Sequence, residues 1–290
     1  MQLTFLTPEE KISWTAFVKA HKGSIFSYAG YLDATADNWA ILYNADKTAG
    51  IACPFTVKAG QKILYTPFFN RYIEWIGSPI NPNELIAALK KQFNVADFNF
   101  NQVITGYEQL NHQYVAVNAL KLNNLANRTL KKAQVFTTST HTRAPGLMPL
   151  ITKELAQRVK TLNAFTLPKL SNLLTEFKDK GLVQIDLFEN DEWKGGLWLI
   201  ETADKVVYLK GTVQQEAMKK GGMYRLMYDA ILYAHASEKL FDFGGSNVDN
   251  VARFNSYFGA KSMPYAHITW NEAPFWWKLL KKINDKWKGK

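Results

Sequence analysis

The sequence predicts an α/β fold of two halves, each a mixed sheet flanked by helices. Three observations carry this prediction. Short apolar strands alternate with helical patterns in a similar order in both halves. Hydrophobic residues make up 47% of the chain and aromatic residues 14%, which excludes a disordered scaffold. The length of 290 residues suits one large or two medium domains. The expected domains are residues 1–125, residues 126–273 and a tail at 274–290.

The first half begins with a run of strand patterns over residues 38–79. Turn residues separate the apolar stretches NWAILYN, IACPFTVK, KILYTPF and RYIEWIG, which predicts an antiparallel meander. Asn81 precedes apolar residues at helical spacing, so a helix is expected over 81–93. The stretches VADFNF and QYVAVNAL are expected to form further strands.

The second half repeats this order of elements. Helical patterns at 148–160 and 168–180 precede the strand patterns LVQIDLF, GLWLIE and KVVYLKG. A loop at 212–222 then leads into a long amphipathic helix over 223–239. Strand LFDFG, a helix over 249–258 and strand KSMPYAHITW complete the expected elements.

The composition bears on three questions: whether the protein has disulfides, whether it binds a metal and where in the cell it is located. The single Cys53 cannot form an internal disulfide, and the start MQLTFLTPEEK has none of the features of a signal peptide. No apolar run reaches 18 residues, so we expect a cytoplasmic protein. No metal is expected, because metal-ligand spacing is missing among the five histidines, His21, His112, His141, His235 and His267.

Half of the net charge of +10 lies in the tail, where residues 274–290 hold six Lys and one Asp. At 100° per residue, one arc of a helix holds the apolar residues Trp276, Leu279, Leu280, Ile283 and Trp287. The remaining arc holds the charged residues Lys278, Lys281, Lys282, Asp285 and Lys286. This pattern predicts an amphipathic helix that docks on the inner face of an anionic membrane, or whose apolar stripe packs on the body of the protein.

The stretch KVVYLKGTVQQEAMKKGGMYRLMYDAILYA contains the most informative loop. A strand leads through Lys219, Lys220, Gly221 and Gly222 into a helix, and the N-terminus of a helix attracts anions. The two lysines are poorly placed there unless a phosphate or carboxylate binds. Alternatively, the glycines only turn the chain and the lysines are solvated.

This strand, loop and helix resemble the donor site of the GNAT acyltransferases, and in particular their FemAB-type branch of peptidoglycan aminoacyl transferases. The resemblance implies that the acyl donor binds at Lys219, Lys220, Gly221, Gly222, Met223 and Tyr224. Tyr224 stands where the GNAT pattern has a small residue, and its bulk is expected to crowd coenzyme A. Members of the FemAB branch use aminoacyl-tRNA, so the implied donor is aminoacyl-tRNA or acyl-CoA, with no permanently bound cofactor.

A second stretch, LFDFGGSNVDNVARFNSYFGAK, also resembles the FemAB pattern. Gly244 and Gly245 leave a strand end open for a ligand. The expected catalytic residues are Asp242, Asn247 and Arg253, with Asp242 as a base or simply a strand-end carboxylate. In the plainer alternative the glycines turn the chain into an ordinary helix.

Asn255 occupies the position at which many GNAT enzymes place a tyrosine acid, and an amide cannot supply that proton. Catalysis is therefore expected to depend on positioning and electrostatics. Upstream, LANRTLKKAQ resembles the Arg-rich helix end of FemAB-type proteins. Its Arg128, Lys131 and Lys132 are expected to bind a phosphate-bearing acceptor together with Gly244 and Gly245, unless they form a solvated helix face.

The resemblance implies an acyl or aminoacyl transferase that acts on an amine acceptor, with a cell-envelope precursor as one such acceptor and tRNA as one partner. An acyl-CoA-dependent N-acetyltransferase is the alternative within enzymes. A catalytically silent binding module is the alternative outside them, and Tyr224 and Asn255 are the observations that favour it. The sequence does not predict an oligomeric state.

Overall fold

The computed structural model describes residues 1–141, 143–155, 159, 162–245 and 247–279. The chain divides into two compact units. Unit 1 comprises Met1–Leu110 with Pro264–Lys290, and unit 2 comprises Asn111–Met263. These limits differ from the expected boundaries at residues 125 and 273, for a reason that lies in the strand order.

Unit 1 is a mixed sheet with helices. Its helices are α1 (Pro8–Ala20), α2 (Ala29–Thr35) and α3 (Pro82–Lys90). Its strands are β1 (Leu3–Thr4), β2 (Asn38–Tyr43), β3 (Ala49–Lys58), β4 (Gln61–Tyr65), β5 (Trp75–Gly77), β6 (Val95–Phe100) and most of β13 (Lys261–Asn271). The strand order is β1-β2-β3-β4-β6-β13, with β5 paired to β3. Strands β4 and β6 are parallel, and the other pairs described in this unit are antiparallel.

Local sequence explains the limits of these elements. Ala59 and Gly60 both have positive φ angles, +46° and +73°, and form the two-residue turn between β3 and β4. The Asn81 side chain accepts from the backbone N–H of Asn83, and Pro82 opens α3. The predicted meander and the predicted helix after Asn81 are therefore confirmed.

Unit 2 is a second mixed sheet with helices. Its helices are α4 (Asn124–Lys132), α5 (Leu147–Leu150), α6 (Leu167–Phe177), α7 (Gln215–Lys219), α8 (Gly222–Ala236) and α9 (Asp249–Ser256). Its strands are β7 (Glu108–Val115), β8 (Phe136–Ser139), β9 (Leu182–Glu189), β10 (Glu192–Glu201), β11 (Lys205–Val213) and β12 (Leu240–Asp242). The order is β7-β12-β11-β10-β9-β8, and only β11 and β12 are parallel among the pairs described here.

Both units share one plan, in which an antiparallel meander is followed by a helix and a parallel strand. This plan confirms the predicted pair of mixed-sheet halves. Unit 1 takes its last strand from a distant part of the sequence, because β13 follows α9 in the chain but pairs with β6. Strand β7, which follows β6 in the chain, pairs with β12 of unit 2. A division into consecutive stretches of sequence cannot reproduce this arrangement.

Three predicted elements differ from the structure. The expected strand QYVAVNAL stops at Val115, because Asn118 has a φ of +60° and the N–H of Ala119 bonds to the carbonyl of Ala116. The expected loop at 212–222 contains the short helix α7. The predicted helix over 148–160 is α5 followed by a π-helical turn at Ile151–Leu155, and several later residues of that range lie outside the described part.

The main core of unit 2 lies between one face of its sheet and helix α8. It contains the buried side chains Val206, Leu199 and Phe241 from the strands and Leu226 and Ile231 from α8. Among the described residues, none of the helices has the length and apolar character needed to span a bilayer.

Candidate functional site

In unit 2 the pairing of strands β11 and β12 stops before β11 ends, at a place hereafter called the fork. The two strands pair from Lys205 with Leu240 to Val207 with Asp242, where β12 ends, while β11 runs on to Val213. Asp242 also pairs with Tyr114 on β7. A parallel strand pair thus ends inside the sheet, where Val207 and Asp242 are both buried.

The sheet has a core face that packs on α8 and an opposite face. Phe241 and Leu199 belong to the core face. Directly paired residues share a face and successive residues alternate. Asp242 and its partner Val207 therefore lie on the opposite face, together with Tyr114.

A β-bulge places Lys210 on that opposite face. Leu199 pairs with Tyr208, but the next residue back on β10, Trp198, pairs with Lys210, so one extra residue lies in β11. Without that bulge the alternation would turn Lys210 toward α8. Sequence reasoning missed Lys210, because no signal in the strand pattern KVVYLKG marks where the bulge falls.

The surroundings of Lys210 change its protonation. The side chain is half-buried, and its desolvation lowers the pKa of its ammonium group below the ordinary value. A lysine with a lowered pKa holds a larger fraction of neutral amine near neutral pH, which is the form that can accept a proton. Lys210 is therefore the described side chain at the fork that is best suited to acid–base chemistry.

Asp242 occupies the end of β12 and is 5% exposed. Its Oδ1 accepts from the backbone N–H of Gly244 at 2.8 Å, and Gly244 has a φ of +83°. The carboxylate thus stabilises the turn that ends the strand, in a conformation that suits glycine. Gly245 follows in the same turn and is half-buried.

The other two expected catalytic residues contact neighbouring segments of unit 2. Asn247 Oδ1 accepts from the backbone N–H of Asn111 at 2.9 Å. Arg253 is exposed on α9, and its Nη2 donates to Asn250 Oδ1 at 2.6 Å. Helix α9 packs on the core face through Phe254, whereas Asp242 lies on the opposite face of the sheet.

The two glycines before α8 are closely packed. Gly221 has a φ of +90°, and a Cβ on it would lie 2.7 Å from Thr129 Cγ2 of α4. A Cβ on Gly222 would lie 2.8 Å from Leu187 Cδ2 of β9. Both residues are buried, so packing against neighbouring elements is itself a reason for glycine at these positions.

Exposed cations lie on both helices that meet at this packed turn. Lys219 and Lys220 are exposed at the end of α7, and Lys220 Nζ lies 2.6 Å from Glu189 Oε1. On α4, Thr129 contacts the turn, and Lys132 is its i+3 neighbour on the helix surface. The predicted acceptor-binding residues Arg128, Lys131 and Lys132 are all exposed on this same helix. The structure therefore places α4 next to the turn that follows the predicted donor-binding lysines.

Tyr224 turns its ring toward α9. Its ring centroid lies 5.0 Å from that of Phe254, in an edge-on arrangement, and 6.4 Å from that of Tyr257, in a parallel one. Burial, and secondarily the neighbouring Tyr257, raise the pKa of its hydroxyl. The sequence argument weighed only the bulk of Tyr224 and did not anticipate this packing. Next to Tyr224, Met223 is half-buried against the same core.

The part of the chain that the structure describes contains no group of three or more His, Cys, Asp or Glu side chains able to hold a metal ion. A buried polar network lies on the same face of the sheet as Lys210. Trp198 Nε1 donates to Gln184 Oε1 at 2.8 Å, and Gln184 Nε2 donates to Asp186 Oδ1 at 2.8 Å. This network holds the strands beside the fork in register.

Comparison with solved structures identifies the fold. The sequence matches no family model and no curated protein. The structure is similar to FemX, with a TM-score of 0.61 at 12% identity over 94% of this chain and 98% of the other. It is also similar to a tandem GNAT protein from the clavulanic acid biosynthesis pathway, with a TM-score of 0.54 at 8% identity over 94% and 99% of the two chains.

A third similar structure is the C-terminal domain of a putative lysylphosphatidylglycerol synthetase from Agrobacterium fabrum, with a TM-score of 0.53 at 12% identity over 92% of this chain and 93% of the other. At these identities the likeness concerns the fold. The fold that the resemblance implied is confirmed, because the chain has a fold similar to those of FemX and the tandem GNAT protein.

Proposed function

We propose that this protein is an acyl transferase that moves an aminoacyl group from aminoacyl-tRNA to an amine acceptor. The fold supports acyl transfer in general. One observation supports the choice of donor: α4 and α7, which meet at the start of α8, both carry exposed cations, while the backbone there is covered by Thr129 and Leu187.

A covered helix start favours contact through side chains. A pyrophosphate bound in the usual way needs open backbone N–H groups at the turn, and those of Gly221 and Gly222 belong to buried residues. Long lysine and arginine side chains can instead meet phosphates spread along a nucleic acid. We therefore assign Arg128, Lys131, Lys132, Lys219 and Lys220 to donor binding as one group. A tRNA donor also requires a cytoplasmic site.

At the fork, we assign proton transfer to Lys210. The acceptor amine attacks the ester carbonyl carbon, a C–N bond forms, and the C–O bond to the tRNA ribose breaks. The attacking amine loses one proton and the ribose oxygen gains one. Neutral Lys210 accepts the first proton and its ammonium form returns it to the leaving oxygen, so the step balances without a metal or cofactor. Asp242 shapes the turn beside this position, and an amine of a cell-envelope precursor is the proposed acceptor.

An acyl-CoA-dependent N-acetyltransferase is the second candidate, and one observation favours it. The Tyr224 ring packs on α9, so its size does not by itself obstruct the turn. The two candidates differ in what must bind near α8, and a direct binding comparison separates them.

The test measures binding of the full chain to aminoacyl-tRNA and to acetyl-CoA across a series of salt concentrations. The variant Lys132→Ala/Lys219→Ala should weaken tRNA binding. It should also reduce the magnitude of the slope of log K against log salt by about 1 to 2, because binding through fewer phosphate contacts releases fewer counterions. The matched control Lys178→Ala/Lys261→Ala removes two exposed lysines elsewhere in unit 2 and should bind as the parent does.

Tight acetyl-CoA binding with no tRNA binding would replace the first candidate with the second. Transfer of a labelled aminoacyl group to a small amine is the activity readout. Lys210→Gln should lower this transfer by about 10²-fold or more while donor binding is unchanged. Parent-like transfer by Lys210→Gln would remove Lys210 from the mechanism without affecting the donor assignment.

A further inference from the structure

Unit 1 carries a group of exposed apolar side chains at the start of its C-terminal segment. Phe275 is 81% exposed, Trp276 is 50% exposed and Leu279 is 48% exposed. Side chains of this size in helical residues are usually turned toward the protein. Their exposure together in one turn therefore identifies a surface that other molecules can contact.

Trp277 fixes the orientation of this turn. It is 4% exposed and packs with Val95, Ala273 and Ile63. Its Nε1 donates to the carbonyl of Lys58 at 2.9 Å. Both the apolar ring and the polar N–H of Trp277 are thus satisfied inside unit 1, and the helical turn that carries it is anchored.

Helical geometry explains why the other side chains remain outside. Residues 275–279 are helical, and Phe275 and Leu279 are each two residues from Trp277, which places both about 160° around the helix from it. Burying Trp277 therefore turns Phe275 and Leu279 outward. The apolar stripe that the sequence predicted includes Trp276 and Leu279, and both are exposed. Its other members, Leu280, Ile283 and Trp287, lie outside the described residues.

Positive charge accompanies this apolar surface. The hairpin end beside Trp277 contributes the exposed Lys58. Lys278 is exposed within the same helical turn. Residues 274–290 together hold six lysines and one aspartate, a net charge of +5. A Trp-containing apolar surface flanked by lysines matches the interface of an anionic bilayer, where rings enter the headgroup region and ammonium groups meet phosphates.

We infer that Lys58, Phe275, Trp276, Lys278 and Leu279, hereafter the tail surface, dock this protein on an anionic lipid bilayer. Charge complementarity favours a bilayer over an uncharged apolar partner, because lysines next to anionic lipid are attracted whereas lysines next to an apolar protein groove would be desolvated. This inference does not depend on the proposed acyl transfer, since the tail surface lies in unit 1 and the fork lies in unit 2.

The experiment is co-sedimentation of the full chain with vesicles of phosphatidylcholine and phosphatidylglycerol at 70:30, and with vesicles of phosphatidylcholine alone. Binding to the anionic vesicles is expected. It should weaken about tenfold or more between 0.1 M and 1 M NaCl, as the Debye length falls from about 10 Å to about 3 Å. Tryptophan emission should be quenched by brominated lipid in the parent.

The variant Trp276→Ser/Leu279→Ser should bind anionic vesicles at least about tenfold more weakly and lose most of the quenching, because it removes apolar side chains and leaves every lysine in place. Its matched control is Ile12→Ser/Phe165→Ser, which changes two side chains that are 74% and 83% exposed elsewhere. The control should bind as the parent does.

Three results would overturn the inference: no binding of the parent to anionic vesicles, equal binding by the tail-surface variant, or equal loss of binding in the control. Sedimentation velocity measures whether copies of the chain associate with one another. If the parent self-associates through Trp276 and Leu279 and ignores vesicles, the tail surface is an interface between copies of this chain instead.

Discussion

The side-chain amide of Asn255 donates to Gln113 Oε1 at 3.0 Å, and both residues are almost completely buried. Gln113 in turn donates through Nε2 to the carbonyl of Ala252, at 3.2 Å. Asn255 thus ties helix α9 to strand β7. In the sequence analysis, Asn255 occupied the position of a tyrosine acid in the GNAT pattern. Its hydrogen bond to Gln113 gives this amide a structural role that does not depend on catalysis.

Asn255→Leu should lower the free energy of unfolding by about 1 to 3 kcal/mol, because a buried amide oxygen of Gln113 loses its partner. Urea denaturation measures the change. The double variant Asn255→Leu/Gln113→Leu should lose less unfolding free energy than the sum of the two single variants, because it removes both members of the Asn255–Gln113 hydrogen bond. Strictly additive losses would show that the hydrogen bond contributes nothing. Asn255→Tyr should also destabilise the protein, because its larger side chain overpacks the site.

Gly221→Ala should destabilise unit 2 by about 1 to 3 kcal/mol. The substitution places a Cβ in a left-handed backbone and 2.7 Å from Thr129 Cγ2. Gly60→Ala is the matched control, because Gly60 has a φ of +73° but nothing within 4 Å of the added Cβ. It should cost about 1 kcal/mol, the backbone contribution alone.

Thr129→Ser introduced into the Gly221→Ala variant tests the steric part of this argument. Serine lacks the Cγ2 methyl group, so the double variant should recover part of the lost stability in urea denaturation. If the double variant is no more stable than Gly221→Ala, then backbone strain alone accounts for the loss and the packing of α4 on the turn is not tight.

Lys210→Met should raise the melting temperature at pH 7. Burial lowers the pKa of Lys210 in the folded protein, so the folded state binds this proton less tightly than the unfolded chain does. The charged lysine therefore reduces stability below both pKa values, and this penalty disappears as pH rises through the unfolded value of about 10.4.

The difference in melting temperature between Lys210→Met and the parent should consequently shrink between pH 7 and about pH 10.5, as measured by circular dichroism. A difference that is the same at both pH values would contradict the assignment of a buried, destabilising charge to Lys210. If Lys210 takes part in transfer, Lys210→Met should be more stable than the parent and less active, because the desolvated charge costs stability but serves the reaction.

Asp186→Asn should cost about 2 to 3 kcal/mol. The fully buried carboxylate accepts from Trp193 Nε1 and Gln184 Nε2 on Oδ1, and from the backbone N–H of Ala144 on Oδ2. An asparagine in either orientation would set its NH₂ group against one of these donors. Near-ultraviolet circular dichroism should report the altered surroundings of Trp193. The exposed Asp204→Asn change is the control and should have little effect on stability.

Much of the fold could be predicted from local patterns. Short apolar runs bounded by turn residues predicted strands β2, β3, β4, β9, β10 and β11, because a strand that is buried on both faces has a nearly continuous apolar sequence. Cap and turn residues such as Asn81 and Gly60 act on their immediate neighbours, so their effects could also be inferred.

The candidate site was less predictable, because its arrangement depends on contacts distant in sequence. Helices α4 and α7 are separated along the chain by the strands β8 to β11, and packing of Thr129 on Gly221 places α4 next to the turn that follows α7. The bulge that orients Lys210 depends on its pairing with β10. Neither relationship leaves a mark in the local sequence.

The sequence by itself determined the kinds of elements, their order and the glycine turns, since these follow from backbone preferences and short-range hydrogen bonds. Only the tertiary structure decided the partners of β7 and β13, the face of Lys210 and the burial of Trp277 in place of Trp276. The physical reason is that strand pairing and side-chain burial are chosen by competition among surfaces distant in the chain. The helix at 275–279 has apolar residues on several sides, so which of them is buried depends on the neighbouring surface that it contacts.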